Sequence, residues 1–171
     1  MKSNYEVRAK KFIHALYPYV RDCSDFDDYE LAVEKLRDDY PNRKILFSHG
    51  MTRVVFITSD YVIKIDYSPS NISYLGGCEA EMKLYRIAEQ EGMSHLFAKI
   101  SRYDYNGMTF YIMPRVNNIH EEKWVDAIYY MTEEEEEWCE QHKIYDLHSS
   151  NYGFYNKHVV VFDYACYAEM E

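Results

Sequence analysis

The hexapeptide DLHSSN, residues 146–151, read together with VVVFD at 159–163, decides how this chain folds. An Asp is followed five residues later by an Asn, and twelve residues after the Asn an apolar run delivers a second Asp. Such residues commonly cap turns, because their short side chains hydrogen-bond to backbone groups a few positions away. The same three side chains are also the oxygen donors that hold a hard divalent cation and accept a hydroxyl proton. What surrounds them upstream separates the two readings.

Residues 4–20 carry Tyr5, Ala9, Phe12, Ile13, Leu16 and Val20 at spacings of three and four, the period of an amphipathic helix. A second helix starts behind Ser24 or Asp25 as N-cap, repeats Phe26, Tyr29, Val33, Leu36 and Tyr40, and stops at Pro41. The two form a helical hairpin. From Lys44 the texture changes to short apolar runs, KILFSHG, TRVVFIT and YVIKIDY, which read as three antiparallel strands. A helix from about Cys78 to Glu91 follows, with Gly92 as its stop, and then two strands joined by Asn106-Gly107, a strong hairpin signal. Residues 120–142 read as one helix containing the run Glu133 to Glu137. That run is a solvated face to which we assign no chemistry. The end of the chain reads as a strand at Tyr152 to Phe154, an Asn156-Lys157 turn and the strand HVVVF leading to Asp163.

Composition narrows the function classes. A chain of 171 residues, 47% of them hydrophobic, can bury one sizeable core. With 19 Lys and Arg against 29 Asp and Glu, the net charge of -10 repels a phosphate backbone, so no nucleic-acid partner is expected. No apolar stretch is long enough to span a bilayer, and we expect no membrane partner. Cys23, Cys78, Cys139 and Cys166 are far apart without metal-binding spacing, which points to reduced thiols in a cytoplasmic protein. The 19 tyrosines are read as core and sheet filling rather than a base-stacking surface. A zinc site from His142, His148 and His158 lacks a tight ligand motif.

Taken in chain order, YVIK (61–64), CEAEMKLY (78–85), TFYIM followed by PRV (109–116), DLHSSN and the strand ending at Asp163 resemble the protein kinase-like superfamily. The likeness covers roughly residues 44–166 and extends to the aminoglycoside and choline phosphotransferase branch, where DLHxxN is common, and to small kinase-like proteins of phages. It implies an α+β, minimal kinase-like fold. The parts are an extra N-terminal helical hairpin (1–42), a lobe with a five-stranded antiparallel sheet and one helix (43–113), and a truncated helical lobe carrying the catalytic-type loop (114–171).

The resemblance also implies roles. Lys64 reaches the nucleotide phosphates, Glu81 pairs with it, and the backbone from Met113 to Val116 meets adenine. Asp146 accepts the hydroxyl proton, while Asn151 and Asp163 hold magnesium. Of the glycine-rich loop only Gly50 and Val55 remain in SHGMTRVV, with Ser48 and Arg53 where other glycines would stand. IYD replaces the usual HRD, and only eight residues follow Asp163, so no peptide-binding lobe or activation segment is expected. Two functions follow. One is a minimal phosphotransferase moving the γ-phosphate of ATP, with Mg2+, to a hydroxyl of a small molecule or protein; the other is a catalytically silent kinase-like module that binds a protein partner.

Overall fold

The computed structural model describes residues 4–50, 53–67, 77–118 and 126–164. Within them lie four α-helices and two antiparallel sheets of five and three strands, an α+β protein. The chain divides into two compact units, residues 1–78 with 101–115, and residues 79–100 with 116–171.

In the first unit, α1 (Asn4–Val20) and α2 (Phe26–Asp39) form the expected hairpin. Asp25 is the N-cap of α2, its side chain accepting from the Asp28 N–H at 3.0 Å, an arrangement worth about 1 kcal/mol over alanine. Both helices bury the stripe their spacing marks out: Ala9, Phe12, Ile13, Leu16 and Val20 from α1, and Tyr29, Ala32, Val33 and Leu36 from α2. The strands are β1 (Leu46–His49), β2 (Arg53–Ile57), β3 (Tyr61–Asp66), β4 (Ser101–Tyr105) and β5 (Met108–Pro114), in the order β1-β2-β3-β5-β4. Every pairing is antiparallel.

One face of this sheet joins the helices in a single core through Val54, Phe56, Tyr61, Ile63, Ile65, Phe110 and Ile112. Because side chains alternate along a strand, Lys64, Tyr111 and Met113 belong to the opposite face. The β4–β5 turn has Asn106 at φ 48° and Gly107 at φ 86°, the left-handed pair that a two-residue type I′ hairpin requires. Exposed Arg8 of α1 pairs with Asp60 in the β2–β3 turn, which adds at most about 1 kcal/mol at a solvated surface.

The helix after β3, α3 (Gly77–Gln90), begins where the Asp66 carboxylate accepts from the Cys78 N–H at 3.2 Å. An anion there suits both the unpaired N–H groups and the helix dipole. The Arg53 guanidinium packs against Gly77, 2.7 Å from where a Cβ would stand, and as the end of a flexible side chain it could shift to admit one. The helix ends on Gly92 at φ 81°, with the Met93 N–H reaching back to the Ala88 carbonyl at 2.8 Å, the bond of a Schellman cap.

The second unit corrects the sequence reading in two places. Residues 120–142 are not one helix. Residues 119–125 lie outside the described residues, Ala127–Tyr130 form a 3-10 turn, and α4 spans only Glu133–Gln141. Thr132 stops the helix from extending upstream, because its side chain accepts from the Glu135 N–H while the Glu135 carboxylate accepts from the Thr132 N–H, a complete capping box. The lobe is also less helical than expected. A strand too short for a periodic signal, β6 (Asn117–Asn118), pairs with β7 (Tyr152–Tyr155), which pairs with β8 (His158–Val161). The β7–β8 turn is again type I′, with Asn156 at φ 50° and Lys157 at φ 71°. Gly153 is required by close approach, since a Cβ would lie 2.3 Å from the Asn117 carbonyl oxygen.

Candidate functional site

The loop 146–151 belongs to the second unit, between α4 and β7. It is closed by its own side chains. The Asn151 Nδ2 donates to the Asp146 backbone carbonyl at 3.0 Å, and the Asn151 N–H donates to the His148 carbonyl at 2.9 Å. Asn151 is 8% exposed. Because a carbonyl only accepts, this contact fixes which end of the carboxamide faces Asp146. The other end, Oδ1, has no donor among the described residues. A buried acceptor in that state is costly, and such atoms commonly mark a place for water or an ion.

Asp163 is brought to the same loop through the backbone. The Asn151 carbonyl accepts from the Phe162 N–H at 2.8 Å and from the Asp163 N–H at 3.4 Å. The end of β8 is thereby pinned to Asn151, and the two expected magnesium ligands share one carbonyl. β8 is itself anchored at Val161, whose carbonyl accepts from the Ala98 N–H at 2.8 Å. Tyr164, 1% exposed, donates its hydroxyl to the Ala98 carbonyl at 3.1 Å, which holds the chain just beyond Asp163.

Asp146 carries a partner that the sequence did not reveal. His148 Nε2 lies 2.8 Å from Asp146 Oδ1, and the Ser150 N–H donates to His148 Nδ1 at 3.2 Å. Nδ1 is therefore an acceptor and Nε2 carries the proton, so the imidazole donates to the carboxylate and holds it in place. This also makes the 3.4 Å approach of Asn151 Nδ2 to His148 Nε2 a contact between two donors rather than a bond. The signal available in sequence was the two-residue spacing in DLH, which on its own says nothing of the rotamer. From the other side the loop is fixed by the 3-10 turn, the Ala127 N–H donating to the Leu147 carbonyl at 2.7 Å.

The remaining residues named from sequence are placed as follows. Glu81 is on α3 and 0% exposed, and Val116, just ahead of β6, is buried. In the first unit Lys64 lies in the middle of β3, 4% exposed, with Val55 and Tyr111 as its cross-strand neighbours. Such burial of charged groups is tolerated only with compensating partners, and both Lys64 and Glu81 have interactions with other groups. Met113 lies within the buried run of β5, opposite Val62. Gly50 is exposed where β1 ends, bonds through its N–H to the Arg53 carbonyl at 2.9 Å, and has no atom within 4 Å of where a Cβ would stand. Among the described residues nothing therefore demands glycine at that position. Residues 51 and 52 of the same turn lie outside the described residues.

Among the described residues no group of three or more His, Cys, Asp or Glu side chains is arranged to hold a metal ion. His142 stacks on Trp138 with ring centroids 4.0 Å apart, while His148 bonds to Asp146 and His158 opens β8. Burial pushes both Cys23 and Cys139 up to about 11, away from the thiolate form. Cys166 lies outside the described residues. Also among those residues, no helix is long and apolar enough to cross a membrane.

No protein-family model matches the sequence, and no curated protein is significantly similar to it. The α+β fold and the closed Asp146–Asn151 loop define the protein as far as class goes; what it does has to be argued from the loop's chemistry.

Proposed function

We propose that the protein is a minimal kinase-like phosphotransferase that moves the γ-phosphate of ATP, with Mg2+, to a hydroxyl of a small molecule or protein. One observation carries the reading: the buried Asn151 carboxamide is turned by the Asp146 carbonyl so that Oδ1 is left open, on the same loop that pins Asp163. An amide oxygen and a carboxylate are the hard oxygen donors that magnesium takes, and it keeps waters and phosphate oxygens for its other positions. Two protein ligands are therefore enough. Bound there, the metal would supply positive charge to the phosphoryl oxygens as the transfer proceeds.

In this reading Asp146 orients the acceptor hydroxyl and takes its proton. The His148 Nε2–H holds Oδ1 at 2.8 Å, so Oδ2 is the oxygen left to face the acceptor. His148 is a positioning residue: it fixes the carboxylate rotamer and does not touch the reacting atoms. The roles of Lys64 and Glu81 on phosphate, of Gly50 above it and of Met113 to Val116 beside adenine rest on the resemblance. The strand order β1-β2-β3-β5-β4, with one helix between β3 and β4, supports it.

The test is transfer of labelled phosphate from ATP to candidate acceptors, including water and the protein itself, by wild type and Asp146→Asn. Loss of the base should lower transfer by about 10²- to 10⁴-fold with nucleotide affinity retained. A folded wild type that transfers nothing, while a protein partner binds it and Asp146→Asn equally, would establish the silent binding module instead.

A further inference from the structure

Apart from the Asp146 loop, the second unit holds a cavity of about 290 Å³ between the 3-10 turn at Ser94–Leu96, α4 and β8. Its floor is apolar, with Leu96 6% and Val161 0% exposed, and its polar lining is His95, Glu135, Lys157 and His158. The volume stands at the lower edge of small-molecule sites, roughly 300 to 1,000 Å³.

The one carboxylate of this cavity is already committed to other partners. Glu135 is the one acid of the lining, and both of its oxygens are occupied: Oε1 lies 2.6 Å from His95 Nε2, and Oε2 accepts from the Thr132 N–H at 2.7 Å. Burial opposes ionisation of this carboxyl, but those bonds outweigh it and hold it below the usual carboxylate range. His95 Nδ1 in turn lies 3.2 Å from the Gly92 carbonyl oxygen. Lys157, with His158 beside it, is thus the lysine of a lining whose one carboxylate already has both oxygens bonded, in a chain whose net charge is -10.

The position of Lys157 is also one that the backbone disfavours. The β4–β5 and β7–β8 hairpins use the same two-residue turn with Asn first, and the second residue is Gly107 in one and Lys157 in the other. At φ 71° a residue with a Cβ is strained where glycine is not. The protein thus uses the favoured Asn-Gly in the β4–β5 hairpin and a strained lysine in the hairpin that lines this cavity. Departures of this kind from local preference concentrate at functional positions.

We propose that this cavity is a second binding site, for a small monoanion with an apolar body such as a medium-chain carboxylate, with Lys157 and His158 holding the carboxylate and Leu96 and Val161 receiving the chain. The site is independent of phosphotransfer and stands whether or not Asp146 is catalytic. The experiment is a titration of the full chain with octanoate, octanamide and inorganic phosphate, followed through the backbone amide signals of Leu96, Val159 and Val161. Octanoate should give saturable shifts at these positions and bind more tightly than either comparator, since octanamide lacks the charge and phosphate the apolar chain. Lys157→Gly should weaken octanoate about ten- to a hundredfold by removing a charge-assisted contact. It should melt no lower than wild type, because the turn then has its preferred residue, and so cannot fail through misfolding. The proposal is overturned if octanoate gives no saturable shifts, if octanamide or phosphate binds as tightly, or if Lys157→Gly keeps wild-type affinity.

Discussion

Replacing Asn151 by Asp tests the loop geometry and the metal together. The side chain keeps its size, but the Nδ2 that donates to the Asp146 carbonyl at 3.0 Å becomes a carboxylate oxygen, so a donor facing an acceptor becomes two acceptors facing each other. The position is 8% exposed, and water compensates little. A lost buried bond that leaves its partner unsatisfied costs about 1 to 3 kcal/mol, and the added charge beside Asp146 and Asp163 moves the value toward the upper end. For a chain of 171 residues each kcal/mol moves the melting temperature by about 2 to 4 °C, so Asn151→Asp should melt roughly 4 to 12 °C below wild type. Magnesium should then restore stability selectively. A carboxylate is a better magnesium ligand than an amide, and a ligand at about a hundredfold excess over its Kd returns about 2.7 kcal/mol. Asn151→Ala loses the same bond without gaining an anion, and its melting temperature should fall with no such rescue. The assay is thermal denaturation by circular dichroism with and without magnesium. If Asn151→Asp melts with wild type, the bond to Asp146 does not hold the loop; if magnesium shifts both variants equally, the open Oδ1 is not a ligand position.

Two further predictions concern stability. Gly153→Ala should lower urea resistance by about 1 to 3 kcal/mol, because its Cβ would meet the Asn117 backbone at 2.3 Å and must push β6 off β7; an unchanged urea midpoint would show that the three-stranded sheet is not closed as described. Burial raises the Tyr29 phenol to about 12, above its ordinary value of about 10, so the folded state holds that proton longer than the unfolded state does. The resulting stability is fully present below pH 10 and is lost as pH rises toward 12. Tyr29→Phe should therefore flatten the loss of stability over that window, measured by urea denaturation across alkaline pH, and an unchanged slope would contradict the assignment.

Periodicity and turn chemistry made most of the first unit legible. The α1 stripe from Ala9 to Val20, the Asp25 cap, the stop at Gly92 and the Asn106-Gly107 turn are local signals that the packing reinforces. The start of α4 was misread although its signal was present: Thr132 and Glu135 stand at the capping-box spacing, and the acidic run behind them obscured it. β6 could not be read, because two residues carry no period and their strand exists only through pairing with β7. At the candidate site the spacing of Asp146, Asn151 and Asp163 pointed to one loop and one strand end. The tautomer and hold of His148, and the direction in which the Asn151 amide faces, are set by tertiary hydrogen bonds that a linear pattern does not encode.

The central claim is that the protein binds ATP through magnesium. The most direct test is a thermal-shift titration with ATP, with and without magnesium, on wild type, Lys64→Ala and Asp163→Asn. ATP with magnesium should raise the wild-type melting temperature well above ATP alone, because a ligand that binds only the folded state stabilises it. Lys64→Ala should weaken that shift by the equivalent of about ten- to a hundredfold in affinity, and Asp163→Asn should remove the difference that magnesium makes. Equal shifts for all three proteins, or no shift with any nucleotide, would contradict the account.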